Sequence, residues 1–198
     1  MNNQPPIRIY FAGADGTGKT TLCLYVAKTY GLPMINEVAR SVLADSRKTF
    51  AEIRTTGAAS SEFQAEVFRR QFEAEAQLEP PYVSDRTVDN LAYAEEHARN
   101  FGKLFHTVKA EYLASLRQSI VFLVRPQRAL RPQASTDPFR LLSEWEGQVR
   151  IDAVVETLFQ IWNIPYIPIV EVDSSRRERL VDWCLQAHGF RPASGAKP

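Results

Sequence analysis

The chain has 198 residues, 44% of them hydrophobic and 24% charged, a size and balance that suit one ordinary folded domain with a sizeable core. A formal net charge of +1 excludes a global electrostatic pull toward nucleic acid or anionic membrane, so any basic partner site has to be local. Cys23 and Cys184 fit no metal spacing and are too few for a disulfide framework, no apolar run is long enough to span a bilayer, and the N-terminus lacks signal-peptide character; the expectation is a cytoplasmic protein without membrane contact.

Taken in order, "IRIYFAG" predicts a buried strand ending in glycine. "GKTTLCLYVAKTYG" predicts a helix, with Leu22, Val26 and Tyr30 on one face and Gly31 as its stop. "PMINE" reads as a short strand and "VARSVLADS" as a helix. "SSEFQAEVFRRQFEAEAQLE" reads as a helix in which Ser61 and Gln64 have capping-box spacing, ended by Pro80 and Pro81. "YVSD" is a third strand, two helical stretches cover roughly 88–117, and "SIVFLV" is a fourth strand. A loop with three prolines and four arginines, "RPQRALRPQASTDPFR", leads to a helix over about 141–162. The strand "YIPIVEV" and the helix "SSRRERLVDWCLQAHG" close a domain of residues 1–190, and a polar tail at 191–198 is expected to be disordered. Strands alternating with helices predict an α/β fold: three layers, with a central, mostly parallel five-stranded sheet and ligands at the carboxyl ends of its strands.

Gly13, Gly18, Lys19 and Thr20 in "GADGTGKTT" match G-x-x-x-x-G-K-[ST], with a strand before and a helix after. Glycines let backbone N–H groups turn inward around phosphate, and the helix N-terminus adds positive potential. Gly13, Asp15, Gly16, Thr17, Gly18, Lys19, Thr20 and Thr21 are therefore the expected nucleotide-binding segment. Lys19 would reach the β- and γ-phosphates and the Thr20 hydroxyl would ligate Mg²⁺. What receives the phosphate is a separate question. No N-K-x-D base-reading motif of switch GTPases occurs, nor a strand ending in the acidic pair of motor-type ATPases. The third strand ends instead in Asp85 and Arg86.

These segments resemble the P-loop nucleoside and nucleotide kinases. "GADGTGKTT" looks like the phosphate loop of thymidylate kinases. "YVSDRTVDNLAYAEEH" is similar to the D-R segment of thymidylate, deoxynucleoside and ribosylnicotinamide-type kinases. "INEVARSVL" and "SEFQAEVFRRQFEAE" look like the last of these, and the likeness runs from about Ile7 to Val172. It implies a P-loop NTPase fold, an ATP–Mg²⁺ phosphotransferase and a nucleoside or nucleotide acceptor. Glu37, after the second strand, has two readings, a base for the attacking hydroxyl or an acid at a helix start. Asp85 holds Mg²⁺ or serves as the base. Arg86 clamps the acceptor, or pairs with Asp85. Arg40 and Asp15 are further acceptor-side candidates. Phe63 and Gln64 resemble the aromatic–glutamine pair with which deoxynucleoside kinases hold a base, although Phe63 also fits a core face and Gln64 a cap. His97, His106 and His188 have no metal-like spacing, and Trp145, Trp162 and Trp183 read as packing residues.

The arginine loop, about 125–140, is expected to act as a lid. Arg125, Arg128 and Arg131 recur every three residues and would align on one helical turn. In kinases of this kind such a lid brings arginine onto the transferring phosphoryl group, with Arg128, Arg131 and Arg140 as candidates here. Two further readings stay open: a kinase of a hydroxymethyl group on a pyrimidine base, free or in DNA, and a regulatory ATPase signalling by shape change. A homodimer is a possible assembly.

Overall fold

A computed structural model describes residues 4–53, 56–99, 101–130 and 144–193. Five short strands form one sheet: β1 (Ile9–Ala12), β2 (Met34–Ile35), β3 (Val83–Asp85), β4 (Ile120–Val124) and β5 (Ile167–Ile169). Their order is β2-β3-β1-β4-β5 and every pair is parallel. Phe11 stands opposite both Asp85 and Phe122, so the loop after β1 emerges beside the end of β3. β3 in turn neighbours β2, which Glu37 closely follows. The three strand ends that carry the candidate chemistry are thus consecutive in the sheet.

Alternation along the strands builds a core on each face, because successive side chains point to opposite sides. Ile9, Phe11, Ile120, Phe122 and Val124 face α1 (Lys19–Tyr30) and α9 (Ser174–Ala187), where Leu22, Val26, Val181 and Leu185 complete one cluster. Phe11 and Phe122 stack at 4.9 Å. Tyr10, Ala12, Val121 and Leu123 face the other layer: α2 (Val38–Ser46), α3 (Phe50–Ile53), α4 (Gly57–Ala76), α5 (Asn90–Ala98), α6 (Phe101–Phe105), α7 (Ala110–Arg117) and α8 (Trp145–Ile161). Gly31 ends α1 in the left-handed region at φ 66°, as its sequence position predicts.

The structure corrects several expectations. The stretch over 88–117 is three helices, not two, because Arg99 caps α5 in a left-handed turn and Lys109 takes an extended conformation before α7. α3 was not expected. The capping box at Ser61 is absent: α4 begins four residues earlier, and Thr56 Oγ1 accepts from the Ala59 amide as the true cap. α8 begins at Trp145 with Glu144 before it, and 141–143 lie outside the described residues. Trp183 is 71% exposed rather than packed, since the inward stripe of α9 runs through Arg177, Val181, Cys184 and Leu185. Cys23 and Cys184 are free and buried. Among the described residues, no helix is long and apolar enough to cross a membrane.

Candidate active site

The loop after β1 folds back on itself. Ala14 O accepts from both Thr17 Oγ1 at 2.9 Å and Lys19 Nζ at 2.6 Å. Gly13 adopts φ +133°, and a Cβ there would lie 2.5 Å from Val124 O, so both conformation and space demand glycine. From α9, Arg177 donates from Nη1 to Thr17 O at 2.6 Å and from Nε to Glu171 O at 2.5 Å, bracing the loop from below. Above it, Gln148 of α8 donates to Asp15 O at 2.8 Å. Lys19 is 5% exposed; burial lowers the pKa of its ammonium and Arg86 adds to this, against the opposing pull of Asp85, Asp89 and Glu37.

Thr20 Oγ1 donates to Asp85 Oδ2 at 2.5 Å. Asp85 is 1% exposed and its other oxygen, Oδ1, has no hydrogen-bond partner. Burial raises the pKa of this carboxyl, although Lys19 and Arg86 oppose the shift. A buried carboxylate with an orphaned oxygen beside the loop threonine has the donor set of a hard-cation site.

The acceptor-side candidates meet through Arg86. Its guanidinium donates from Nε (3.0 Å) and Nη2 (2.6 Å) to Glu37 Oε1 and from Nη1 (3.4 Å) to Asp89 Oδ2. Its carbon lies 4.2 Å from the centre of the Tyr93 ring. The partners are therefore Glu37 and Asp89, not Asp85. Glu37 precedes α2 but makes no capping hydrogen bond, and its Oε2 accepts from Arg40 Nε at 3.1 Å. Burial opposes ionisation of Glu37, but Arg86 outweighs it and holds the carboxyl down at about 2. Arg86 itself stands at φ +107°, a conformation that costs a non-glycine residue about 1–3 kcal/mol. The amide of Arg86 donates to Phe11 O at 3.1 Å, and its carbonyl accepts from Ser84 Oγ at 2.9 Å.

Asp89 and Tyr93, at the start of α5, tie this acceptor side to the loop. Asp89 is fully buried; Oδ1 accepts from the Thr87 amide at 2.7 Å and Oδ2 from the Gly13 amide at 3.2 Å. The Tyr93 hydroxyl donates to Gly13 O at 3.1 Å. Both ends of the first loop glycine are held by the residues that hold Arg86.

Lys19, Thr20, Glu37, Arg40, Arg86 and Tyr93 line one cavity of about 290 Å³, whose lining includes neither Asp85 nor Asp89. Asp15, Gly16, Gly18, Lys19, Thr20 and Thr21 line its donor end, and Glu37, Arg40 and Arg86 its middle. Phe50, Phe63, Gln64, Asn90, Tyr93 and His97 are also in its lining, Tyr93 reaching back to Gly13 O of the loop. Phe63 serves both of its readings: it is 7% exposed, packs edge-on against Phe50 at 5.7 Å, and lines the cavity. Gln64, no longer a cap, is 8% exposed in the same lining. The described arginines of the loop, Arg125 and Arg128, do not line the cavity. Arg125 precedes the single 3-10 turn at Arg128–Leu130 and pairs with Asp152 and Glu156 of α8, each at 2.8 Å, so it does not align with Arg128. Arg128 lies over the Trp145 ring at 5.9 Å, while Arg131 and Arg140 lie outside the described residues. Sequence reasoning missed Asp89, Asn90, Tyr93 and Arg177. The i, i+4 spacing of Asp89 and Tyr93 directly after the D-R pair was the available signal for two of them.

A profile of the family described as AAA domain matches residues 8–177. The chain belongs to the AAA domain family. A search of curated proteins finds no match for this AAA domain. Among solved structures it is similar to a deoxyadenosine kinase from M. mycoides with products dCMP and dCDP bound, at 16% identity and TM-score 0.71, covering 92% of this chain and all of that one. It is also similar to a NadR protein in complex with NR, at 15% identity and TM-score 0.70, covering 96% of this chain but only 54% of that one. A thymidylate kinase from Ehrlichia chaffeensis matches at 16% identity and TM-score 0.54, covering 91% of this chain and 98% of that one. At such identities the likeness is one of fold: the AAA domain has the P-loop fold of nucleoside and nucleotide kinases.

Proposed function

We propose that this AAA domain transfers the γ-phosphoryl group of ATP, with Mg²⁺, to a nucleoside- or nucleotide-type acceptor. The observation that carries the reading is the convergence of the phosphate loop and the Glu37–Arg86 pair on one cavity from three adjacent strand ends, with Asp85 bonded to Thr20 of its lining. Solved structures of similar fold include kinases of deoxyadenosine, thymidylate and shikimate, which supports a kinase in general terms.

Phosphoryl transfer needs positioning and charge stabilisation more than covalent help. The loop and Lys19 grip the triphosphate tail. Thr20 and Asp85, with its orphaned oxygen, would hold Mg²⁺, which would supply charge neutralisation for the triphosphate. Glu37, ionised at neutral pH, accepts the acceptor proton as the nucleophile becomes acidic in the transition state. Arg86 fixes that carboxylate and keeps a strong charge beside the transferring group.

The test is incubation of the purified chain with labelled ATP and Mg²⁺ against nucleosides, nucleoside monophosphates, and hydroxymethylated or unmodified DNA. Label is expected on a small nucleoside-type acceptor. Transfer to none of them, with ATP hydrolysis stimulated by a protein partner instead, overturns the reading in favour of a regulatory ATPase.

A further inference from the structure

We infer that the acceptor is an uncharged alcohol with a flat, polar head group, a nucleoside rather than its monophosphate. The inference rests on the phosphotransferase reading above and narrows it through the charges around the cavity.

Three Lys or Arg residues line the cavity among the described residues: Lys19, Arg40 and Arg86. Lys19 is folded into the donor loop through Ala14 O. Glu37 engages the other two, taking Arg86 on one carboxylate oxygen and Arg40 on the other. Arg86 is committed further: Asp89 takes its remaining arm, the Tyr93 ring covers its face, and only 6% of its side chain is exposed. Among the described residues, a phosphate on the acceptor, carrying about −1.5 to −2 charges, would thus meet a fixed carboxylate and, at Arg86, a guanidinium engaged on every arm, while Arg40, its side chain 46% exposed, gives its Nε to the same carboxylate. The phosphate would also add its charge to that of the incoming triphosphate. Like charges brought together in a partly buried site are a strong rejection device. A hydroxyl meets no such barrier, and the same carboxylate is what it needs.

The polar amides and aromatic rings in the lining suit an uncharged planar head. Gln64 and Asn90 are 8% and 4% exposed, and Asn90 Nδ2 is buried without a hydrogen-bond partner. A buried orphaned donor in a cavity wall asks for an acceptor atom on the ligand. Phe50 and Phe63, edge-on to each other, supply apolar surface beside it. In the reaction, a lone pair of the acceptor hydroxyl forms the new bond to the γ-phosphorus. The bond from that phosphorus to the bridging oxygen breaks, with its electron pair leaving on ADP. The hydroxyl proton passes to Glu37 and from there to solvent.

The experiment uses matched pairs: adenosine and AMP, guanosine and GMP, cytidine and CMP, thymidine and TMP. For each, phosphoryl transfer from ATP is measured, together with calorimetric binding to protein saturated with Mg²⁺ and AMP-PNP. At least one nucleoside is expected to accept label, with kcat/KM at least about 100-fold above that of its monophosphate. A monophosphate that outperforms its nucleoside overturns the inference and leaves the phosphotransferase reading standing. Transfer to no member of the panel, with AMP-PNP still bound, overturns both.

A variant tests the charge argument by binding alone. Glu37→Gln releases Arg86 and Arg40 from their carboxylate. It is expected to abolish transfer to the nucleoside yet tighten binding of the matching monophosphate by about tenfold. Unchanged monophosphate affinity, in a variant whose circular dichroism matches the parent, overturns the argument. Asn90→Leu is expected to raise the nucleoside KM about tenfold with kcat retained and to relax the choice among bases; an unaltered KM removes Asn90 from head-group recognition.

Discussion

Lys19 sits between two demands at the residue scale. It is held out of water, which penalises its charge, and three carboxylates around it, Asp85, Asp89 and Glu37, restore part of what burial takes away. Such an ammonium has few protein partners of its own and is poised for an anionic ligand; Ala14 O is its hydrogen-bond acceptor. Lys19→Ala is expected to lower kcat/KM for any transfer by about 10³-fold or more while the far-ultraviolet circular dichroism is preserved; activity within about tenfold of the parent would remove it from the reaction. Asp85 has a different task. Its Oδ2 fixes the Thr20 hydroxyl and its Oδ1 is left over. Asp85→Asn keeps an acceptor for the threonine but loses the anion, so the Mg²⁺ concentration for half-maximal activity is expected to rise about 10–100-fold. A magnesium titration that superimposes on the parent's would place the cation elsewhere.

At the scale of elements, the first turn of α5 works as a common mount. Asp89 and Tyr93 hold the amide and the carbonyl of Gly13, and together they also hold the charge and the face of Arg86. Donor loop and acceptor side therefore cannot shift independently. Tyr93→Phe removes one hydrogen bond to Gly13 but keeps the ring under Arg86. It is expected to raise the KM for ATP about 2–10-fold, with a smaller change for the acceptor; equal changes for both would mean that the ring, not the hydroxyl, sets the mount. This element also marks where sequence legibility ends. The phosphate loop was readable because its function needs contiguous residues of fixed type, and the strand ends were readable because apolar runs stop there. The helix α2 over Val38–Ser46 was readable because its periodicity and flanking residues agree. Apart from its i, i+4 spacing to Tyr93, Asp89 looks locally like any helix-start acid, since its role is created by β3 lying beside β1. Ser61 shows the reverse failure: its spacing to Gln64 satisfies a local rule, but Thr56 captures the helix start first, and Gln64 is released into the cavity wall. Arg177 lies 160 positions from the loop carbonyl that it braces, beyond any motif.

Across the whole molecule, a second polar system lies on the same face of the sheet as the site. The carboxyl ends of the strands carry the site, and a buried carboxyl, Glu75, lies behind them between α4, β1 and α7. Glu75 accepts from Tyr10 OH at 2.7 Å, Gln71 Nε2 at 2.7 Å and Tyr112 OH at 3.0 Å, and Tyr82 OH lies 3.0 Å from Tyr10 OH. Gln71 also reaches Ser84 Oγ and Tyr112 reaches Thr87 Oγ1, so the cluster abuts the segment that carries Arg86. Burial pushes the Glu75 carboxyl from 4.5 up to about 7; the three hydrogen bonds and the more distant Arg8 oppose the shift without reversing it. The folded state thus keeps a proton here that the unfolded chain gives up near pH 4.5. Stability falls as pH rises wherever the folded state holds more protons. Glu75 therefore withdraws stability between about pH 4.5 and 7, of the order of 3 kcal/mol in all. Asp152, which burial raises to about 6 against the pull of Arg125, acts in the same direction over a lower window. Glu37, held at about 2, acts oppositely, adding stability that is lost only as pH falls below about 4.5. The difference between parent and Glu75→Gln isolates the one buried proton, since the other groups titrate in both. The melting temperature of the parent is expected to drop relative to that of Glu75→Gln as pH is raised from 5 to 7.5, and to run parallel to it above that range. Parallel curves across the whole interval would mean that the proton is not held at Glu75.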